Sequence, residues 1–304
     1  MKLKIKNLLT LNELDKNEIE EILNNAIKLK KDLKAGIYKP LLKNKTLAMI
    51  FQKSSTRTRV SFETGMYQLG GHALNLSFEE LQLSRGETIE DTAKTLSRYV
   101  NIIMARVYSH DEVEILAKSA TVPVINGLSD SFHPCQILAD LMTIKEKKKK
   151  LTGLKLAWIG DGNNVCNSMI YGCVKTGIDI SIATPKGYEP DRNVIKESKK
   201  VGEIQLLNDP VLAVTDADVV VTDTFVSIHH QSTDRTRDFL PKFQVNSSLM
   251  KKAKPDAIFL HCLPAKRGQE VTNSVIDGSQ SAVWDEAENR LHAQKSLMIS
   301  LLRV

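Results

Sequence analysis

The chain has few cysteines, few aromatics and no long apolar run, and each shortage removes a class of protein. Four cysteines, at 135, 166, 173 and 262, are spread over 304 residues without a C-x-x-C pair, whereas a disulfide-stapled secreted domain carries more of them in a shorter chain. They are expected as reduced thiols, and no ligand spacing typical of zinc accompanies them, so no metal is expected. Aromatic residues make up only 5%, and the densest basic run, Lys147 to Lys150, has no aromatic interleaved for base stacking. Nucleic acid is therefore not an expected partner, and the run reads as a solvated linker. The opening segment MKLKIKNLLTLNELDKNEIEE lacks an uninterrupted apolar stretch followed by a small-residue cleavage site, and no later stretch stays apolar long enough to cross a bilayer. No membrane partner and a cytoplasmic location are the expectations.

What is present is the balance of a globular protein: 42% hydrophobic and 26% charged residues. A chain of 34.0 kDa exceeds what one core usually organises, so two domains are expected. The net charge of +6 favours anionic partners, among them a small phosphorylated substrate. Along the chain, Asp15 to Leu33 carries Ile19, Ile22, Leu23, Ala26, Ile27 and Leu33 at helical spacing. Thr46 to Phe51 reads as a buried strand, QKSSTRTR as a polar loop and Val60 to Leu69 as a helix. Further strands are predicted at Ile102 to Arg106, Val122 to Asn126, Leu154 to Ile159, Asp179 to Ala183, Asp218 to Thr222 and Ala257 to Leu260, with helices at Pro134 to Lys145 and Glu286 to Leu302. The fold class is thus α/β, with two domains, each an open, mostly parallel sheet flanked by helices. Residues 1–148 form the first domain and 149–285 the second, and the C-terminal helix 286–304 packs back on the first.

Three motifs carry chemistry. Ser54-Ser55-Thr56-Arg57-Thr58-Arg59 stands where a strand ends and a helix begins, where unpaired backbone N–H groups, hydroxyls and guanidinium forks make a phosphate site. Alone, the string also fits a serine-threonine helix cap with exposed arginines. His133-Pro134-Cys135-Gln136 places a histidine and a glutamine three apart at a helix start, and Arg106 closes a strand whose end faces the ligand crevice. His261-Cys262-Leu263-Pro264 follows a strand directly, and its thiol is open to three readings: nucleophile, metal ligand or packing against substrate methylenes.

In this order and at these separations, SSTRTR, HPCQ and HCLP resemble the three signature motifs of the aspartate/ornithine carbamoyltransferase family, and the likeness extends from Thr46 to Arg290-Leu291-His292-Ala293-Gln294-Lys295. The resemblance implies a cofactor-free transferase that moves the carbamoyl group of carbamoyl phosphate to the δ-amine of L-ornithine, giving L-citrulline and phosphate. It would serve arginine biosynthesis, the urea cycle, or the reverse, catabolic direction. Carried over residue by residue, it implies that Ser55, Thr56, Arg57 and Thr58 hold phosphate, with Arg106, His133, Pro134, Cys135, Gln136, Cys262, Leu263 and Arg290 around the carbamoyl group. Arg106, His133, Cys262 and Arg290 are the implied catalytic residues. Gln82 is implied to reach a neighbouring site in a homotrimer, with higher assembly left open. Asn164, Asp223, Ser227 and Ile228 are implied to hold ornithine.

One departure bears on the acceptor: Ile228-His229 stands where the ornithine-using members usually carry Met-Gly. This keeps open a carbamoyltransferase for another amine, such as putrescine or an acylated ornithine, and a non-catalytic carbamoyl phosphate-binding homologue. The adjacent His229 and His230 lack a spaced third ligand and read as loop residues. Gly160-Asp161-Gly162-Asn163-Asn164 is not a dinucleotide fingerprint, since Val165 stands where G-x-G-x-x-G needs glycine. Chemically, the δ-amine must react in its minority neutral form, and orientation of that amine is the preferred role for Cys262.

Overall fold

The computed structural model describes residues 3–226 and 235–303; Ser227, Ile228, His229 and His230 lie outside the described residues. The chain divides into two compact units, one made of residues up to Ala139 together with those from Asn289 onward, the other of Asp140–Glu288. Both dividing lines fall inside helices, Pro134–Lys148 and Val283–Leu302, where the sequence reading put them at 148 and 286. Hydrogen-bonded helix, not a flexible linker, runs through each. The lysine run is accordingly corrected: Lys147 and Lys148 finish a helix, a favourable place for cations. Lys148 Nζ donates to the Asp256 carbonyl and carboxylate at 2.6 and 2.8 Å, and Lys147 pairs with Asp285 at 2.6 Å.

The first unit is built on strands β1 (Thr46–Phe51), β2 (His72–Ser77), β3 (Ile102–Arg106) and β4 (Val124–Leu128) in the order β2-β1-β3-β4, all parallel. The chain runs outward from β1 to β2 and then crosses to β3 on the other side of β1. The sheet's topological switch therefore lies between β1 and β3, where such sheets open a crevice at their carboxyl ends. Phe51, the last residue of β1, is in register with Arg106, the last of β3. β4 begins two residues later than the sequence suggests, because Pro123 has no N–H for the ladder and contributes only its carbonyl, to Ile103 N at 2.9 Å.

Helix α1 (Lys16–Lys34) opens on a capping box in which Asp15 accepts from Glu18 N and Glu18 accepts from Asp15 N. It buries Ile19, Ile22, Leu23 and Ala26 completely. Helix α2 (Thr56–Gln68) starts four residues before the predicted Val60, because Ser55 caps it by accepting Thr58 N at 3.3 Å. The STRTR motif is thus the first turn of a helix and not a loop ahead of one. α2 packs on the part of the C-terminal helix that belongs to this unit. At Gly65, a Cβ would meet Lys295 Cγ at 3.2 Å, so glycine permits the close approach. Lys295 Nζ donates to Gln68 Oε1 at 2.9 Å, Lys30 Nζ to Asn289 Oδ1 at 2.7 Å and Ser296 Oγ to the Ile22 carbonyl at 2.7 Å. The C-terminal helix packs back on the first unit as expected.

The second unit holds β5 (Lys155–Ile159), β6 (Asp179–Ala183), β7 (Ile204–Leu207), β8 (Val219–Thr222) and β9 (Ile258–Leu260) in the order β7-β6-β5-β8-β9, again parallel throughout. Its switch falls between β5 and β8, with Ile159 in register with Thr222. The GDGNN loop leaves β5 there and Asp223 leaves β8. Phe225, Phe239, Phe243 and Phe259 are buried in the core beneath, each such side chain contributing about 1.5–3 kcal/mol relative to exposure.

Candidate active site

The first unit gathers its charged residues at the β1/β3 switch. Arg57 comes from the first turn of α2, Arg106 from the end of β3, His133 from the residue before helix Pro134–Lys148, and Arg290 from the C-terminal helix. Arg290 clamps two of the other motifs together: Nη2 donates to Thr58 Oγ1 at 2.8 Å and Nη1 donates a short bond to Gln136 Oε1. Thr58 Oγ1 also accepts from Ser55 Oγ at 3.1 Å, which leaves its own hydrogen to donate. A cavity of about 760 Å³ opens beside this turn, lined by Lys53, Ser54, Ser55 and Thr56 among others. Arg59, paired with Glu63 at 3.3 Å, lines the same cavity from its exposed side.

His133 is buried, and its pKa is held well below the ordinary 6.5, first by burial and then by the Arg290, Arg106 and Arg57 charges. Those three arginines therefore surround one neutral imidazole, which is able to donate a hydrogen bond to an oxyanion without adding a fourth charge. The depressed pKa has a consequence for stability. Between the folded pKa and 6.5 the unfolded chain binds a proton at this site and the native chain does not, so the contribution is full above about 6.5 and lost as pH falls below it. Urea unfolding of the wild type and of His133→Gln at pH 7.5 and 5.5 should show the wild type losing more stability over that interval. Equal losses would mean that His133 titrates normally in the native state.

Two residues implied by the motif comparison take distinctive positions. Cys135 donates its thiol to the Asn126 carbonyl at 3.5 Å, and burial pushes its pKa up to about 12, so its side chain is turned into the core and its backbone is what remains for a ligand. Gln82 opens a short 3-10 helix, Gln82–Arg85, on the surface, and it does not line the cavity beside Ser55. Lys53 went unnoticed in the sequence. It lines that cavity, and burial together with the Arg106 charge lowers its pKa.

The second unit presents Asp223 at the end of β8. Cys262 Sγ donates to its Oδ1 at 3.2 Å, Thr224 N to Oδ1 at 2.7 Å and Asn163 Nδ2 to Oδ2 at 2.8 Å. Among the described residues, these donors leave one lone pair on Oδ2 for a cation. Asn164, the residue implied as a ligand, is the first residue of α6 (Asn164–Thr176) and is buried. Asn163, the cap of α6, donates to Asp223. Burial and then the Asp223 charge hold the Cys262 thiol well above 9.0, which removes the thiolate that nucleophilic catalysis requires.

Leu263 sits in the left-handed region at φ 57°, and the histidine before it fixes that conformation. His261 Nδ1 accepts Leu263 N at 2.9 Å, so the ring proton lies on Nε2 and faces Glu270 Oε1 at 3.2 Å; His261 N donates to Glu286 Oε2 at 2.8 Å. Asp223, His261 and Cys262 bring possible ligand atoms within 4.8 Å of one another. Both ring nitrogens of His261 are already engaged, by Leu263 N and Glu270, and Cys262 bonds Asp223, so no imidazole is left for a cation. Glu270 and Glu286 were invisible in the sequence reading, since neither lies at a helical or strand spacing from the motif they support.

Residues 6–146 match the aspartate/ornithine carbamoyltransferase carbamoyl-P binding domain, and residues 152–301 match the Asp/Orn binding domain of the same family. The ornithine carbamoyltransferase of Cenarchaeum symbiosum is 60% identical over 301 residues, covering 99% of each chain. That of Carboxydothermus hydrogenoformans is 57% identical over 304 residues, covering 98% of this chain and 97% of the relative. Among solved structures, the ornithine carbamoyltransferase from Pyrococcus furiosus superposes with a TM-score of 0.93 at 56% identity, covering 96% of both chains. With both family domains present in sequence order, and with relatives this similar over nearly the full length, the chain belongs to the aspartate/ornithine carbamoyltransferase family.

Proposed function

We propose that this chain catalyses the transfer of the carbamoyl group from carbamoyl phosphate to the δ-amine of L-ornithine. The observation that carries the reading is the cluster of Arg57, Arg106 and Arg290 around a neutral His133, together with Asp223 held as a carboxylate acceptor in the second unit. The first suits a dianionic phosphate and a developing oxyanion. The second suits an α-ammonium group.

In the proposed reaction, the neutral δ-amine nitrogen attacks the carbamoyl carbon. A C–N bond forms, the bond between the carbamoyl carbon and the bridging oxygen breaks, and phosphate leaves with the electron pair and takes up the proton that the amine loses. Arg57, with Ser55 and Thr56, takes the phosphate at the helix N-terminus. Arg106, His133 and the Thr58 hydroxyl donate to the carbonyl oxygen as it gains charge. Gln136, whose amide oxygen already receives Arg290, is oriented by that bond, and the carbamoyl NH2 is read by Gln136 and the Leu263 carbonyl. Asn164 holds the acceptor carboxylate, and Ser227 and Ile228 complete that side. Cys262 orients the amine in its thiol form. We place the reaction in the cytoplasm, in arginine metabolism.

The exposure of Gln82 supports its use by another copy of the chain, and a homotrimer is the proposed assembly. The purified protein should form citrulline from ornithine far faster than it carbamoylates putrescine, N-acetylornithine or aspartate, in a sample whose sedimentation mass is that of three chains. Robust turnover of another amine with negligible citrulline would replace ornithine as the substrate.

A further inference from the structure

Within the second unit, a closed ring of contacts joins the GDGNN loop to Asp223. Asp161 Oδ1 accepts Arg235 Nη2 at 3.0 Å, with Asp161 buried and Arg235 largely so. The Arg235 guanidinium lies over the Tyr188 ring at 4.8 Å from its centroid. Tyr188 meets Phe239 edge-on at 4.7 Å, and Phe239 stacks on Phe225 at 4.4 Å with an interplanar angle of 13°. Phe225 is two residues beyond Asp223. Asp223 Oδ2 in turn receives Asn163 Nδ2 at 2.8 Å, and Asn163 is two residues beyond Asp161.

The loop that closes the ring has little freedom of its own. Gly162 N donates to the Tyr188 carbonyl at 2.9 Å, and a Cβ at Gly162 would come within 2.3 Å of Pro190 N. Trp158 Nε1 donates to the Asp161 carbonyl at 3.0 Å. Six of the links are backbone connections, ring contacts or neutral-donor hydrogen bonds; the pairing of Asp161 with Arg235 is the one between opposite charges. It joins the loop after β5 to the residue that leads into the helix Thr236–Phe239, a helix that Tyr188, bound to Gly162 N of the loop, also meets through Asp238 and Phe239 and that the aromatic stack ties to Phe225.

From this arrangement we infer that Asp161 is a positioning residue for the acceptor amine: through Arg235 it braces the loop that supplies Asn163, and so holds the Asp223 carboxylate in the orientation that receives the α-ammonium. The inference rests on the proposed carbamoyl transfer to ornithine. Burial raises the Asp161 carboxyl to about 6, with Arg235 acting against that rise and Asp223 adding to it, so the group is a carboxylate at pH 8 and able to pair with Arg235. Asp161 touches no reacting atom in this account. Its effect is on where Asp223 stands.

The test compares the full-length wild type with Asp161→Asn, Arg235→Gln and the double variant, measuring kcat and both KM values for citrulline formation at pH 8, with melting temperatures alongside. Each single change is expected to raise the KM for ornithine roughly 5- to 20-fold, with kcat within about twofold and the KM for carbamoyl phosphate unchanged. The double variant should be no worse than the poorer single, because both changes cut one link. Arg235→Gln alters a residue at the surface side of the pair and keeps the test alive should Asp161→Asn fold poorly. A wild-type ornithine KM in the folded variants, or equal loss in kcat and both KM values, overturns the inference while leaving the function intact. A wild type that forms no citrulline overturns the function and, with it, the inference.

Discussion

Arg290→Ala is expected to lower kcat/KM for carbamoyl phosphate by roughly 10³-fold. The substitution removes more than a charge. Arg290 donates to Thr58 from one nitrogen and to Gln136 from another, so a residue near the C-terminus holds in register two motifs that are 232 and 154 positions away in the chain. All three side chains are buried, so alanine leaves the Thr58 hydroxyl and the Gln136 amide without this donor, and leaves His133 beside two arginine charges in place of three. Gln136 would lose the bond that orients its amide oxygen, and the carbamoyl NH2 would lose a fixed acceptor. Arg290→Lys separates the two contributions. Lysine restores the charge but cannot donate to two acceptors in a fixed fork, so it should recover the affinity for phosphate better than kcat. Steady-state kinetics of both variants decide the matter. Activity of Arg290→Ala within tenfold of wild type would remove Arg290 from the transition-state clamp.

That clamp also marks the limit of what could be read from the sequence. Strands buried on both faces were legible because they are near-continuous apolar runs, as in TLAMIF and IIMAR, and DISIA because its apolar residues alternate with polar ones; all three were found with their observed bounds. β2 and β7 escaped because, unlike the buried edge strands β4 and β9, they lie largely open to solvent. HALNLS and IQLL expose alternate or successive positions to solvent, so their apolar signal is weak. The STRTR motif was legible as chemistry, yet the start of its helix was misplaced, since a run of hydroxyls and arginines carries no apolar period and the cap at Ser55 is a matter of geometry. In the second unit, Asn163 of the GDGNN loop donates to Asp223. Which asparagine faces Asp223 depends on which one caps α6, and two adjacent asparagines offer the same propensity. Glu270 and Glu286 support HCLP only through the tertiary fold.

Asp223→Asn is expected to raise the KM for ornithine on the order of 10²-fold, the scale of losing a charge-assisted hydrogen bond of about 3 kcal/mol. The shape of the side chain is kept, and so are the places from which Asn163, Thr224 and Cys262 donate, but one carboxylate oxygen becomes an NH2 group that repels whichever donor it meets. A second consequence is independent of any substrate. The Asp223 charge is, after burial, the main reason the Cys262 thiol titrates well above 9.0, so its removal must lower that pKa, although burial keeps it from returning fully to the ordinary value. Alkylation by iodoacetamide at pH 8.5 should therefore run faster at Cys262 in Asp223→Asn than in the wild type, because the thiolate fraction is larger. Cys262→Ser in each background identifies the reacting thiol; the other three cysteines are buried. If the alkylation rate is unmoved while the ornithine KM rises, Asp223 binds the acceptor without governing the thiol. If instead the rate rises and KM stays at its wild-type value, Asp223 serves the HCLP motif and the acceptor's ammonium is held elsewhere. Only movement of both supports a single carboxylate that recognises the amino acid and keeps Cys262 protonated beside it, as a donor that orients the amine and takes no part in covalent transfer.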